Sequence, residues 1–335
     1  NMRYINAGYP TVPCRWAATM LSILCRGDEP ILNATTVMDP FRLKDYYPWM
    51  PADHVVKNIN SGKMAFTEPM WAGFMDKIEE LRKQFGVEEL PVGLDACPMP
   101  QLVAELFAKR GIPVVVPTEE LRETRSIKSV DEIACMKISA AIAESSLYEI
   151  QKAMHPAIRE NDLVAIGVRK QYFHGTDEVV PPAVASGWRT NPMHCDYTDR
   201  LIMAGELTAV HMDAVCFNGY KTSLGRTFCV EKASQAQKDA YSVAYELMQK
   251  GISAIKPGNT TADCLAVWPK GPEFWGYEPD NRRILGGLCL AHGIGLSLHE
   301  YPMFGVGGPS EAARAVEFEE GMCIAVETYF GDRNH

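Results

Sequence analysis

Thirteen residues, Leu290-Ala291-His292-Gly293-Ile294-Gly295-Leu296-Ser297-Leu298-His299-Glu300-Tyr301-Pro302, set two imidazoles and a carboxylate among glycines and a proline. Gly293 and Gly295 carry no side chain, so a backbone, a metal ion or a substrate can come close to His292. His292 and His299 are seven positions apart, and in an extended segment they would face opposite sides. A packed core does not ask for this combination. Proton transfer by imidazole and metal ligation are the chemistries it serves. The competing reading is a glycine-bent loop with solvated histidines.

Three other segments carry chemistry of the same kind. In Val210-His211-Met212-Asp213-Ala214-Val215-Cys216-Phe217 the two polar residues are two apart on an expected strand, so they share one face. That face is not apolar core unless both are paired. In Glu320-Gly321-Met322-Cys323-Ile324-Ala325-Val326-Glu327 a carboxylate ends an apolar strand, a costly place for an unpaired charge. The polar, turn-rich run Ser186 to His194 holds a histidine close to Arg189. His211, Asp213, His292 and Glu327 together offer two nitrogens and two carboxylates, a set suited to one divalent ion such as zinc, manganese or iron. Spacing alone leaves open that no metal binds and that each is a satisfied structural residue. His194, His292, His299 and Glu327 are the candidate catalytic residues. Arg189, whose planar fork matches a carboxylate, and Tyr220 are the candidates for substrate binding.

The elements that must position these residues follow from periodicity. The 335 residues suffice for one large or two medium domains. Over the first part of the chain, strands at Met20–Cys25, Pro91–Asp95 and Pro113–Val116 alternate with helices at Phe74–Phe85 and Leu102–Lys109, an α/β pattern. A boundary is expected near Arg122 to Lys128, which gives domains 1–124 and 125–335. Ser129 and Glu132 form a capping box for a long helix whose apolar stripe runs Ile133, Met136, Ala140, Ala143, Leu147, Ile150 and Met154. That helix stops before Pro156, and a second capped helix starts near Asn161. The same sequence of helix, proline turn and helix recurs at Ser234 to Ile255, Pro257 and Thr260, an internal echo that points to a duplicated fold.

Net charge is −9, and no basic stripe interrupts the acidic balance, which argues against nucleic acid or an anionic membrane as partner. No apolar run reaches membrane-spanning length. The ten cysteines form no CxxC pair and sit mostly in apolar runs, as reduced thiols of a cytoplasmic protein do. The chain opens Asn1-Met2-Arg3-Tyr4, so its true N-terminus and any targeting signal are not read from it.

The segment His292-Gly293-Ile294-Gly295-Leu296 with His299-Glu300 resembles the HGxGLxxHE signature of the pita-bread superfamily, which includes methionine aminopeptidase, aminopeptidase P, prolidase and creatinase. Asn1-Met2-Arg3-Tyr4-Ile5 resembles the N-x-R-Y strand of its N-terminal domain. Ile127-Lys128-Ser129 with Asp131-Glu132-Ile133 resembles the start of its catalytic domain, and Glu320-Gly321-Met322 to Glu327 its strand with a ligand glutamate. The resemblance implies an α+β fold, a duplicated pita-bread domain after a smaller creatinase-type α/β domain. It also implies a homodimer, for which the apolar tract Tyr46-Tyr47-Pro48-Trp49-Met50-Pro51 is the expected contact.

The sequence also departs from that pattern. Gly219-Tyr220-Lys221-Thr222-Ser223-Leu224-Gly225-Arg226-Thr227 places Ser223 where the metallopeptidases carry an aspartate that bridges two metals. The last ligand glutamate of the family would fall beyond His335. In creatinase, which is metal-free, the catalytic histidine corresponds to His194, but Gly225 stands in place of its active-site glutamate. The dimethylsulfoniopropionate lyases share S-G-x-R-T-N-P with Ser186 to Pro192 and carry D-x-D at His211-Met212-Asp213. The expectation is a hydrolase acting on a C–N bond of a small, polar, carboxylate-bearing substrate, with one divalent ion or none. The alternatives are a lyase of the dimethylsulfoniopropionate type and a non-catalytic binding module on a peptidase scaffold.

Overall fold

The structure is a computed structural model, and it describes residues 21–25, 31–34, 55–57, 68–94, 100–191, 196–275, 288–306 and 315–331. The chain divides into two units, Asn1–Leu121 and Arg122–His335. The Asn1–Ile5 and Tyr46–Pro51 tracts lie outside the described residues.

In the first unit β1 (Leu21–Ile23), β2 (Ile31–Ala34) and β3 (Val55–Lys57) form a sheet in that order. Strand β4 (Val92–Gly93) pairs in parallel with β5 (Val114–Val115). Helix α1 (Glu68–Gln84) and α2 (Pro100–Lys109) bury Phe74, Met75, Ile78, Val103, Leu106 and Phe107 in one apolar cluster. The helical stripe expected to reach Phe85 stops short of it. Gly86 adopts φ 63 beyond the last turn, and Phe85 is left exposed. A short helix, α3 (Thr118–Thr124), follows.

The second unit begins with α4 (Val130–Ala153). Ser129 Oγ accepts from the Glu132 amide and the Glu132 carboxylate accepts from the Ser129 amide, so the expected capping box is present. The buried face of α4 is Ser139, Ile142, Ala143, Ser146, Leu147 and Ile150. Two serines thus take places that apolar periodicity does not mark. Ser139 donates to the Val215 carbonyl and Ser146 to that of Ile142, which makes their burial affordable.

After α5 (Glu160–Phe173), strands β6 (Ala183–Ser186), β7 (Leu207–Phe217) and β8 (Tyr220–Cys229) form an antiparallel sheet. Then α6 (Gln235–Ala254) and α7 (Thr261–Ala266), both with capping boxes, lead to β9 (Leu288–Gly293), β10 (Glu300–Val306) and β11 (Ile324–Val326). These make a second antiparallel sheet with β9 in the middle. Among the described residues no helix is long and apolar enough to cross a membrane.

Each sheet packs on its own helices. Ile142, Leu147, Ile150, Leu163, Val184 and Val210 belong to one core, and Leu247, Trp268, Trp275, Leu290 and Phe304 to the other. A fully buried aliphatic side chain of this kind contributes about 1.5–3 kcal/mol. A backbone bond then joins the two sheets near the ends that matter: Lys221 at the start of β8 donates to the Gly295 carbonyl at 2.7 Å. Within the second sheet Ile294, just past β9, donates to the Cys323 carbonyl before β11 at 3.1 Å.

Candidate functional site

Strand β7 buries Val210 and Met212 and turns His211 and Asp213 to the opposite face, as period-two alternation requires. A bulge lies between Met212 and Val215, where Ala214 takes φ 54, and it changes the ladder next to Asp213. His292 lies in β9 between Met303 of β10 and Ala325 of β11. Glu327 follows β11, and its amide donates to the Leu290 carbonyl at 2.8 Å, which fixes where the carboxylate starts.

These side chains form one chain of contacts. Asp213 Oδ2 is 3.4 Å from His211 Nδ1, His211 Nε2 is 3.7 Å from Glu327 Oε1, and the same oxygen is 3.6 Å from His292 Nε2. Ser223 of β8 donates to Asp213 Oδ1 at 2.8 Å, and its oxygen is 3.4 Å from His211 Nε2. The His292 and His299 ring centres are 4.4 Å apart. Five of the six candidate catalytic and metal-ligating residues therefore meet. The sixth, His194, lies outside the described residues.

His292 is buried, with Nδ1 2.9 Å from the Gly293 carbonyl, an arrangement in which Nδ1–H donates and Nε2 is left to face Glu327. Among the described residues Nε2 has no hydrogen-bond partner, because 3.6 Å to Glu327 is an ion-pair separation and not a hydrogen bond. Burial pulls the pKa of this imidazole down. The Glu327 carboxylate, the Gly293 carbonyl and Asp213 outweigh it, and the net shift is upward.

One expectation about the glycine-rich segment changes. His292 and His299 do not face opposite sides, because β9 ends at Gly293 and the chain turns back into β10. Glu300, fully buried, accepts from the Ser297 amide at 3.0 Å and holds that turn. The two glycines make room for protein. A Cβ on Gly293 would lie 2.3 Å from the Tyr301 carbonyl oxygen, and one on Gly295 would lie 2.7 Å from Glu300 Oε2. Glu300 in turn pairs with Lys128 at 3.0 Å and Arg125 at 3.2 Å, all three side chains buried.

Arg189 already holds a carboxylate, that of Glu160. One terminal nitrogen donates to Glu160 and the other to the Asp196 carbonyl. Fully buried Glu160 also accepts from the amides of Ser186 and Thr198 at 2.9 and 2.8 Å and from their hydroxyls at 2.7 and 2.8 Å. Tyr220 donates to Glu132 at 2.9 Å and ties the start of β8 to the cap of α4.

The chain matches the metallopeptidase family M24 over residues 134–334. It belongs to that family. The uncharacterized peptidase YqhT of Bacillus subtilis is 30% identical over 220 residues, which are 64% of this chain and 57% of that protein. The Xaa-Pro dipeptidase of Pyrococcus horikoshii is 26% identical over 251 residues, 73% of this chain and 65% of that protein. The chain thus spans somewhat less than two thirds of these curated relatives. The prolidase structure from Pyrococcus furiosus superposes with a TM-score of 0.70 at 19% identity, covering 94% of this chain and 83% of that one. The fold is that of the pita-bread superfamily.

The matched family is one of metallopeptidases, and the donors fit a single ion in kind. His292 offers a buried Nε2 with no hydrogen bond among the described residues, its Nδ1 is oriented by a backbone carbonyl, and Glu327 lies within 4 Å of both imidazoles. Among the described residues, however, no group of three His, Cys, Asp or Glu side chains already closes on one point. An ion would have to draw the donors inward, since ligands ~2.0–2.1 Å from a tetrahedral centre lie nearer one another than these atoms do. A second ion finds less, because Ser223 is neutral and directs its proton to Asp213.

Ser223→Asp tests that point. The new carboxylate would crowd Asp213 and should lower Tm in chelator, by the repulsion of like charges at short range. Added manganese or zinc should restore Tm, and elemental analysis should give more metal per chain than in the wild type. Unchanged metal content would show that the site does not accept ions through this position.

Proposed function

We propose that this M24 chain is a hydrolase that cleaves a C–N bond in a small, carboxylate-bearing substrate, of the Xaa-Pro dipeptidase and aminopeptidase P type. One observation carries the reading: a single carboxylate oxygen, Glu327 Oε1, lies within 4 Å of imidazole nitrogens from two different sheets. Such a group is placed to hold a water between a base and an acid.

In this reading Glu327 orients the water and takes its proton. His211, backed by Asp213 at Nδ1, keeps Nε2 toward Glu327, receives that proton from it and passes it to the departing nitrogen. Asp213 is held in turn by Ser223. His292 keeps a fixed orientation through the Gly293 carbonyl, and His299, exposed beside it, faces arriving substrate. Were an ion bound, His211, His292 and Glu327 would serve as its ligands in place of these proton-transfer roles, with Asp213 behind His211, and the ion would supply Lewis-acid polarisation of the carbonyl and a more acidic water. His194 remains a proposed acid or base, and the turn Gly187–Thr190 that precedes it is held by Glu160. Arg189 supports that turn from within.

The proposal extends to the architecture and the setting. Two helices and three strands occur twice in the same order, which we read as a duplicated half following a creatinase-type α/β domain. A homodimer and a cytoplasmic setting belong to the same reading, and light scattering on the purified chain tests the first. A product panel tests the chemistry. Incubation with alanyl-proline should release free proline, and dimethylsulfoniopropionate should give no ultraviolet-absorbing acrylate. Acrylate without proline would replace the hydrolase by a lyase, and neither product would favour a binding module.

A further inference from the structure

Strand β8 keeps a glycine where a strand gains little from one. Gly225 lies inside Tyr220–Cys229 and pairs directly with His211 across the ladder. Its φ lies outside the left-handed region, so the backbone does not demand glycine. Glycine inside a strand costs chain entropy and contributes no side-chain packing.

The room it leaves is taken by one side chain. A Cβ on Gly225 would lie 3.0 Å from His211 Cδ2, 3.5 Å from Nε2 and 3.9 Å from Cγ. On its other sides the same ring meets Asp213, Ser223 and Glu327. We propose that Gly225 is a positioning residue for His211: its bare α-carbon is the seat on which the imidazole lies with Nδ1 toward Asp213 and Nε2 toward Glu327. This rests on the reading of His211 and Glu327 as working groups.

A methyl group at position 225 would press on the ring and make it give by a few tenths of an ångström. A branched side chain would move it further. Pressure from β8 pushes the ring away from that strand, and that changes its approach to Asp213 and Glu327. A displacement of about 1 Å in reacting geometry costs on the order of 100-fold in rate. Gly225→Ala is therefore expected to lose several-fold in kcat and Gly225→Val about 100-fold. KM should stay within about threefold, since no substrate contact is removed. Tm should hold or rise, because valine favours a strand and lowers the entropy of the unfolded chain.

The test combines alanyl-proline kinetics and Tm for the wild type, Gly225→Ala and Gly225→Val with long-range proton–nitrogen NMR of the histidine rings. The His211 resonances would be assigned with His211→Gln. The expected result is a graded fall in kcat at level KM and Tm, with a shift concentrated in His211. Wild-type kcat in Gly225→Val overturns the proposal, as does a loss of kcat with an unmoved His211 signal. If the wild type does not hydrolyse alanyl-proline, the NMR decides alone. A His211 shift then supports the seat although the functional reading fails, and no shift overturns it.

Discussion

His292→Ala is expected to abolish measurable hydrolysis while the chain stays folded. The imidazole is the buried end of the contact chain, and its Nε2 faces Glu327 with no hydrogen bond among the described residues. Its loss frees the Gly293 carbonyl and leaves a small cavity, which together cost about 1–3 kcal/mol. The rate loss should be far larger. His292 is one of the two imidazoles that hold Glu327, and its loss should cost about as much as removing a positioned acid–base group, about 10²–10⁴-fold. Circular dichroism and thermal unfolding would establish the fold, and proline release the activity. A variant with at least a tenth of wild-type kcat would remove His292 from the centre of the site.

Glu300→Ala should produce the largest loss of stability. Glu300 lies between Arg125 and Lys128, and these three side chains are 1%, 9% and 2% exposed, so the two cations have almost no water to fall back on. Removing one member of a buried ion pair costs about 3–5 kcal/mol, because the remaining charge stays uncompensated. For a unit of this size that corresponds to a fall in Tm on the order of 10 °C. The Ser297 amide loses its acceptor too, so the turn that brings His299 to His292 loosens. Glu300→Gln keeps the shape without the charge and should fall between. A Tm within about 2 °C of the wild type would show that the network is hydrated and weak.

The sequence made the local frame readable where chemistry is local. The Ser129–Glu132 capping box and the proline stops after Ala153 and Ala254 stand within a few residues of what they terminate. His211 and Asp213 were readable as an outward pair because Val210 and Met212 alternate with them. Partners distant in sequence were not readable. Glu300 meets Lys128 across 172 positions, and Glu160 meets Arg189 across 29, with nothing in either segment naming the other. Arg189 looks in sequence like a free fork for a substrate, since its internal carboxylate lies at the start of α5. The approach of His299 to His292 depends on the reversal after Gly293, and counting seven positions along an extended strand gives the opposite geometry. Glu300 had one signal that could have marked it, a carboxylate directly after His299 and before the run Tyr301-Pro302-Met303, in the same segment as the two histidines.

Proline release from alanyl-proline by the wild type and by Glu327→Gln, assayed side by side with manganese, zinc or chelator present, tests the central claim most directly. The substitution keeps the shape of the side chain and removes the charge that lies beside His211 and His292. The account predicts turnover by the wild type, a loss of about 100-fold or more in the variant at unchanged KM, and a Tm within a few degrees. Equal turnover by the two proteins would contradict it, and so would a wild type that releases no proline under any of the three conditions.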